Sequence, residues 1–358
     1  MKKIPKIGLL LYVMFLFTGH IRSYGQIEQI GNLIAGGKED AETLLQPYIT
    51  PAVNAFGASL GGGWYNTAKT HELWGFDFTM TVNTAFIPEK YETFRINDNE
   101  LINLKLADPL NNESPTVAGE KDPGPEMVYS LDTYSEPAFA MPEGLNTNYV
   151  PSPMIQAGLG LIKNTGVMVR YTPNIKYEGN EIGLWGLGVK HDIKQWIPGL
   201  KGVPILNISV MYGFTKLHTF VDLNVDKNDI GAGSLPGEET NTWEGQFMRL
   251  YSKCHTANLL VSADMSVLSF YGGIGFVTTQ TNLKFEGPFP VVYLDGSTPS
   301  VQAIVDPIDM EIKNQDGSIT KPRFNAGVRL KLAIVTIHAD YSWANYSVLT
   351  AGLGISFR

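Results

Sequence analysis

From position 75 onward the chain alternates. In Gly75–Phe86, residues Phe76, Phe78, Met80, Val82 and Phe86 share one parity, while Asp77, Thr79, Thr81 and Asn83 share the other. Period two predicts a strand with one apolar and one polar face. The pattern returns in nine further segments: Pro153–Lys163, Gly166–Tyr177, Ile182–Ile193, Pro204–Leu223, Trp243–Met265, Val267–Phe285, Arg323–Leu332, Val335–Trp343 and Ser347–Arg358. The last is the cleanest, with Leu349, Ala351, Leu353, Ile355 and Phe357 opposed to Thr350, Gly352, Gly354, Ser356 and Arg358.

Before position 75 the period changes. In KEDAETLLQPYITPAVNAFGASL, Lys38 to Leu60, residues Leu44, Leu45, Tyr48, Ile49 and Val53 recur at helical spacing, with acidic residues in the first turn. Pro47 and Pro51 are expected to kink this helix or split it. Gly61-Gly62-Gly63 should end it and free the backbone.

The connections sort by length. The turns at Asn164, Ser266 and Ala333 are short, whereas 88–152, 226–242 and 286–319 are long and polar. Numbered along the chain, long loops fall at one end of the strands and short turns at the other, the loop at Ala344–Tyr346 excepted. That asymmetry is the pattern of an outer-membrane barrel. A β-sandwich also alternates. Three features favour the barrel. The polar faces are Gly-, Ser-, Thr- and Asn-rich with isolated charges. Aromatics gather near strand ends (Trp64, Tyr65, Trp74; Tyr341, Trp343, Tyr346; Phe357), as in interfacial belts. The terminal strand stops at an aromatic with no tail, as expected where the last strand pairs with the first and no edge remains.

Composition agrees. Glycine reaches 37 residues, aromatics 11% and charged residues only 17%, below the roughly 25% usual in soluble domains. A basic start (Lys2, Lys3, Lys6), an apolar run over Ile7–Phe17 and Ser23-Tyr24-Gly25 read as a signal peptide over 1–25, with Gln26 as the mature N-terminus. Its removal lowers the basic count from 27 to 23 against 35 acidic residues, a net charge near −12. This argues against nucleic acid as a partner, and none is expected. Cys254 is the sole cysteine, so no internal disulfide is available.

The fold expected is therefore all-β: a transmembrane antiparallel up-and-down β-barrel of ten to fourteen strands over 73–358, behind an N-terminal helical segment, 26–72, that plugs the lumen or sits in the periplasm. VVYLD (Val291–Asp295) and AIVDPIDMEI (Ala303–Ile312) are candidates for extra barrel strands.

Three stretches carry a resemblance: AFGASLGGGWYNTAKTHELWGFDFTMTVNTAF, GLGVKHDIKQWIPGL and LKLAIVTIHADYSWANYSVLTAGLGISFR. In these the chain resembles a family of uncharacterised Gram-negative outer-membrane barrels. Its layout is more distantly similar to the long-chain fatty-acid transporter superfamily, although Pro51-Ala52-Val53-Asn54-Ala55 stands where that superfamily carries an Asn-Pro-Ala motif in its plug. The resemblance implies fourteen strands, a plug, the outer membrane as location, and passive transport of small hydrophobic molecules, fatty-acid-like or aromatic.

Motifs for catalysis are sparse. No HExxH, CxxC or phosphate-loop pattern occurs, and no metal or cofactor is expected. Parity points Arg170, Lys176, Arg323, Arg329 and Lys331 inward, facing Asp77, Asp264 and Asp340. They form a wall-bracing charge network, or a polar contact for the carboxylate of an apolar ligand. His338 and Asp340 share a face two residues apart, either as part of that network or as a base and its orienter. Lys190-His191-Asp192 reads as a turn-stabilising cluster. On the plug, Leu44, Tyr48, Val53 and Phe56 are expected to line a dry pocket. Three functions follow: a transporter for small hydrophobic molecules, a structural or adhesive barrel displaying its loops, and a barrel hydrolase. The expected partners are outer-membrane lipid, a small hydrophobic ligand and the barrel assembly machinery acting on the strand that ends at Phe357. A monomeric, non-enzymatic protein is expected.

Overall fold

The computed structural model describes residues 30–357 except 133, 178, 179, 201, 238–242, 305 and 315. The expected signal peptide, 1–25, and Gln26 lie outside the described residues. One long helix, α1 (Lys38–Leu60), precedes eighteen strands. In chain order these are β1 (Phe76–Phe86), β2 (Thr93–Arg95), β3 (Leu104–Leu106), β4 (Glu113–Pro115), β5 (Glu126–Leu131), β6 (Tyr134–Ala140), β7 (Tyr149–Leu161), β8 (Thr165–Tyr177) and β9 (Asn180–Asp192). Then follow β10 (Leu206–Leu223), β11 (Gln246–Asp264), β12 (Leu268–Glu286), β13 (Phe289–Asp295), β14 (Thr298–Ile304), β15 (Ile308–Ile312), β16 (Thr320–Leu332), β17 (Val335–Trp343) and β18 (Val348–Phe357).

Ten of them close into one antiparallel barrel, in the order β1-β7-β8-β9-β10-β11-β12-β16-β17-β18 and back to β1. The closing seam aligns Phe76 with Phe357 and Ala85 with Val348, so the terminal strand has no free edge. The strand number is ten, not the fourteen that the family resemblance implied. The segments expected as extra barrel strands do become extended, but β13 and β14 pair with each other, and β15 adds only to the upper part of β12. At the short-turn end, Lys163 and Asn164 both adopt positive φ, 56° and 50°, the geometry whose twist matches a two-stranded hairpin.

The wall is apolar outside and polar inside. On β1, Phe76, Phe78 and Met80 are exposed while Thr79, Thr81 and Asn83 are buried. Ile274, Phe276, Phe324 and Leu353 are each more than half exposed. A sheet facing water would show the reverse alternation. In hydrocarbon this arrangement is stable, because closure satisfies every ladder hydrogen bond and the side chains match their solvent. Phe76 and Phe357 pack with tilted rings at 5.8 Å at the short-turn end, and Phe324 and Trp343 stack at 5.5 Å higher on the outer face. Of the aromatics expected in belts, Trp64, Tyr65 and Tyr346 are instead buried. Trp64 and Tyr65 precede β1 in the segment inside the barrel, and Tyr346 stacks on Tyr91 at 5.7 Å in the loops.

At the long-loop end the connections fold into a cap. β2 pairs with β4, and β3, β5 and β6 form a small sheet. These, with β13–β15 and the upper ends of β10–β12, enclose a hydrophobic core that includes Leu33, Leu45, Leu104, Met127, Phe285 and Val301. Helix α1 begins in this cap and descends into the barrel. It is continuous through Pro47 and Pro51 rather than split. Its burial in the cap outweighs the roughly 3 kcal/mol that an interior proline costs. Nearby carbonyls take donors from outside the helical ladder: the Thr50 hydroxyl donates to Gln46 O at 2.6 Å and Val117 N to Tyr48 O at 3.0 Å.

Candidate functional site

The lumen is the candidate site, and residues 59–71 occupy it. Past Leu60 the chain runs through Gly61-Gly62-Gly63 toward the short-turn end, where Trp74 N donates to Gly160 O at 3.0 Å. Along the way it is bonded to seven of the ten wall strands. Ser59 bonds Ser152 of β7 at 2.5 Å. Arg170 of β8 donates from Nη1 to Leu60 O at 3.0 Å and from Nη2 to Gly62 O at 2.6 Å. Lys190 of β9 donates to Thr67 O and Lys69 O at 3.0 and 2.8 Å. Ser209 of β10 donates to Ala68 O at 2.5 Å, and Ala68 N donates to Ser262 of β11 at 3.1 Å. On β16, Arg323 Nη1 donates to Gly61 O and Asn325 Oδ1 accepts from Tyr65, both at 2.6 Å. His71 pairs with Asp77 of β1 at 2.7 Å.

Apolar packing follows the same path. Trp64, 1% exposed, lies against Met168, Met211 and Leu260 of the wall. The Arg170 guanidinium stacks over its ring at 3.7 Å from the centroid. Higher up, Leu60 packs on Met154, Leu184, Leu217 and Cys254. The cysteine is a buried free thiol.

The structure divides the expected site residues into groups. Arg170 and Arg323 are buried and spend their donors on the luminal segment. Arg170 also reaches Gln156 Oε1 at 3.0 Å, and Arg323 reaches Ser342 Oγ at 2.7 Å. Asp340 accepts from the Tyr271 hydroxyl at 3.0 Å and from Asn325 at 3.4 Å. His338 is also buried, but its Nδ1 has no partner and it makes no hydrogen bond to Asp340. The base-and-orienter pair is therefore not assembled.

Lys176 does not face the lumen. The β8–β9 register shifts between Thr172 and Ile175, which reverses the facing of later residues. Lys176 is exposed and pairs with Glu181 at 3.0 Å near the long-loop end. The plug residues differ from expectation as well. Leu44, Tyr48 and Val53 are buried in the cap core instead of lining a dry pocket in the lumen, and Phe56 is half-buried against the Leu60 cluster.

Arg329, Lys331 and Asp77 meet at the short-turn end. They line a cavity of about 70 Å³ together with Lys69, His71 and Lys190. Sequence reasoning placed Lys190 in a turn cluster. Its neighbours behave so, with His191 bonded to Thr165 at 2.9 Å and Asp192 accepting from Lys194 N at 2.8 Å. Lys190 itself points inward, as the parity it shares with Gly186 and Gly188 on β9 would have indicated. A second, more open cleft of about 610 Å³ lies on the cap, with Leu44, Pro47, Phe94 and Ile96 among its lining and Glu39, Glu42 and Glu100 beside them. Among the described residues no group of His, Cys, Asp or Glu could hold a metal ion, and no helix is long and apolar enough to cross a membrane.

The architecture is that of a closed outer-membrane-type β-barrel. The chain belongs to a family of unknown function, DUF6588, whose model matches residues 1–357. No curated protein matches it. Solved barrels are similar in fold. The attachment invasion locus protein Ail of Yersinia pestis is 10% identical, with 80% of this chain and 98% of that one covered at a TM-score of 0.24. The translocator domain of the autotransporter NalP from Neisseria meningitidis is 8% identical, with 80% and 89% covered at a TM-score of 0.30. A deletion mutant of the monoaromatic hydrocarbon channel TodX is 8% identical, with 79% and 90% covered at a TM-score of 0.25. The roles their names give differ from one another.

Proposed function

We propose that this protein is a non-enzymatic, monomeric anchor of the bacterial outer membrane whose sealed barrel holds a folded recognition domain at the cell surface. The outward apolar band supports the membrane assignment, and the long-loop end, by the usual asymmetry of such barrels, faces outside. In this reading the barrel assembly machinery inserts the chain through β18. One observation carries the functional choice: residues 59–71 are hydrogen-bonded to seven wall strands and continue through α1 into the core of the cap. A lumen braced this way serves as a pedestal, and the cap is the part with surface to offer.

Transport of a small hydrophobic molecule is the second reading. The cap cleft beside Leu44, Pro47, Phe94 and Ile96 favours it as a point of capture, but passage requires the luminal segment to move. The hydrolase reading lacks an assembled His338–Asp340 pair.

The test uses intact cells and a membrane-impermeant maleimide. Cys254 is buried, so background labelling is low. Glu39 is exposed on the cap and Trp74 is exposed at the short-turn end. Glu39→Cys is expected to label on intact cells, and Trp74→Cys only after the outer membrane is opened. Uptake of a fatty acid or a monoaromatic compound should be the same with and without the protein. Labelling in the opposite order would sink the topology, and uptake that depends on the protein would move the assignment to transport.

A further inference from the structure

The cavity at the short-turn end combines features that the sealed-pedestal reading does not require. Four cationic side chains line it: Lys69, Lys190, Arg329 and Lys331. The carboxylates near them are already engaged. Asp77 accepts from Thr79 and pairs with His71, and Asp264 accepts from Thr67, Ser262 and Asn207. Both still act on the charges of Arg329 and Lys190, but two carboxylates against four cations leave positive charge in excess where a low-dielectric wall strengthens it.

Arg329 is the sharper observation. It is 8% exposed, its Nε is buried without a hydrogen-bond partner, and it takes part in none of the ion pairs among the described residues. Arg323 shares the orphan Nε, but both its Nη groups donate to oxygens, as Arg170 does through Nε, Nη1 and Nη2; among the described residues no such bond is made by Arg329. Only its Nε is a buried orphan, so the Nη edge is the part open to the cavity, and a largely buried guanidinium that no protein oxygen satisfies is costly unless water or an anion completes it. Directly across the β16–β17 ladder from Arg329 is His338, whose Nδ1 is also buried and unpartnered. Lys190 Nζ holds two carbonyls and, as an ammonium, keeps a third N–H.

We propose that this vestibule binds one small oxyanion, a phosphate or carboxylate group, gripped by the Arg329 fork and neutralised by Lys190, Lys331 and Lys69. A planar guanidinium suits two oxygens of such a group. The volume, about 70 Å³, exceeds that needed for a single water several-fold, which leaves room for a tetrahedral or planar oxyanion group. Trp64 and its packing close the lumen above, so the anion enters from the short-turn, periplasmic side.

The test is calorimetric titration of the full barrel in detergent, with inorganic phosphate in one arm and acetate in the other. One site per barrel is expected for at least one probe. Affinity should fall on the order of tenfold in Arg329→Gln, the loss of charge-assisted hydrogen bonds, and should weaken as sodium chloride is added. Lys331→Gln, at the half-buried rim, should lose affinity by a smaller factor, and it carries the test should the Arg329 variant fail to fold. Phosphate binding alone would assign a phosphate-type ligand, and acetate binding a carboxylate. No saturable binding of either probe, or unchanged affinity in the folded variants, would overturn the proposal.

Discussion

Trp64 shows how the lumen is sealed at the scale of single residues. Gly188 and Gly213 are cross-strand partners on β9 and β10. A Cβ added at Gly188 would lie 2.7 Å from the indole, and one at Gly213 would lie 2.5 Å from it. The two glycines form a notch that receives the ring. Gly213→Ala is expected to destabilise the barrel by about 1–3 kcal/mol through overpacking, and Trp64→Ala by about 3–5 kcal/mol through the cavity it leaves. Because the residues touch, the double variant should cost clearly less than the sum. Urea unfolding in detergent measures all three, and strict additivity would show that the notch does not hold the ring. This pairing was not legible in the sequence. The glycines look like thinned alternation, and Trp64 looks like a belt aromatic, because the notch forms only when segments more than a hundred positions apart meet. Arg170, Arg323, Arg329, Lys331, His338 and Asp340 were legible as inward residues, since period two fixes the face of a strand without tertiary information. Lys176 was misplaced for the same reason: a register shift leaves no mark in the pattern.

Elements were legible in proportion to their length. Helix α1 spans the same Lys38–Leu60 that its periodicity marks, and the ten long strands fall within a few residues of their alternating segments. The cap was not legible, because several of its strands have only three residues and pair across long loops. What fastens α1 to the cap is Asp40. Its carboxylate is 1% exposed and accepts from the backbone N–H groups of Ile102 at 2.6 Å, Asn103 at 2.8 Å and Leu104 at 2.8 Å. Burial raises its pKa above the ordinary carboxylate value, and these donors pull part of that shift back. Asp40→Asn keeps the shape but turns an NH₂ group toward backbone donors. A loss of about 1–3 kcal/mol, the cost of an unsatisfied buried polar group, is expected at this joint. It should appear as faster proteolytic nicking within 98–112 with the barrel intact. Equal nicking of the two proteins would show that Asp40 is not the fastening.

Across the whole molecule, the barrel and the segment within it form one object, and the charges of the wall follow from that. The lumen carries five inward basic residues, Arg170, Lys190, Arg323, Arg329 and Lys331, against the acidic Asp77, Asp264 and Asp340. Such an excess inside a net acidic chain is reasonable where the luminal backbone supplies acceptors: the carbonyls of Leu60, Gly61, Gly62, Thr67 and Lys69 all take donors from these cations. Removing residues 30–70 would strip those acceptors and leave a wet pore with a surplus of positive charge. The intact protein in a planar bilayer is therefore expected to pass no measurable ionic current. The shortened chain is expected to conduct, and the reversal potential across a potassium chloride gradient should show anion preference, since fixed cationic charge in a narrow pore concentrates the counter-ion. Raising the salt should weaken that preference by screening. A cation-selective pore would mean that the inward carboxylates dominate the lumen, and a conducting intact protein would mean that the segment leaves the lumen readily, which is the condition transport requires.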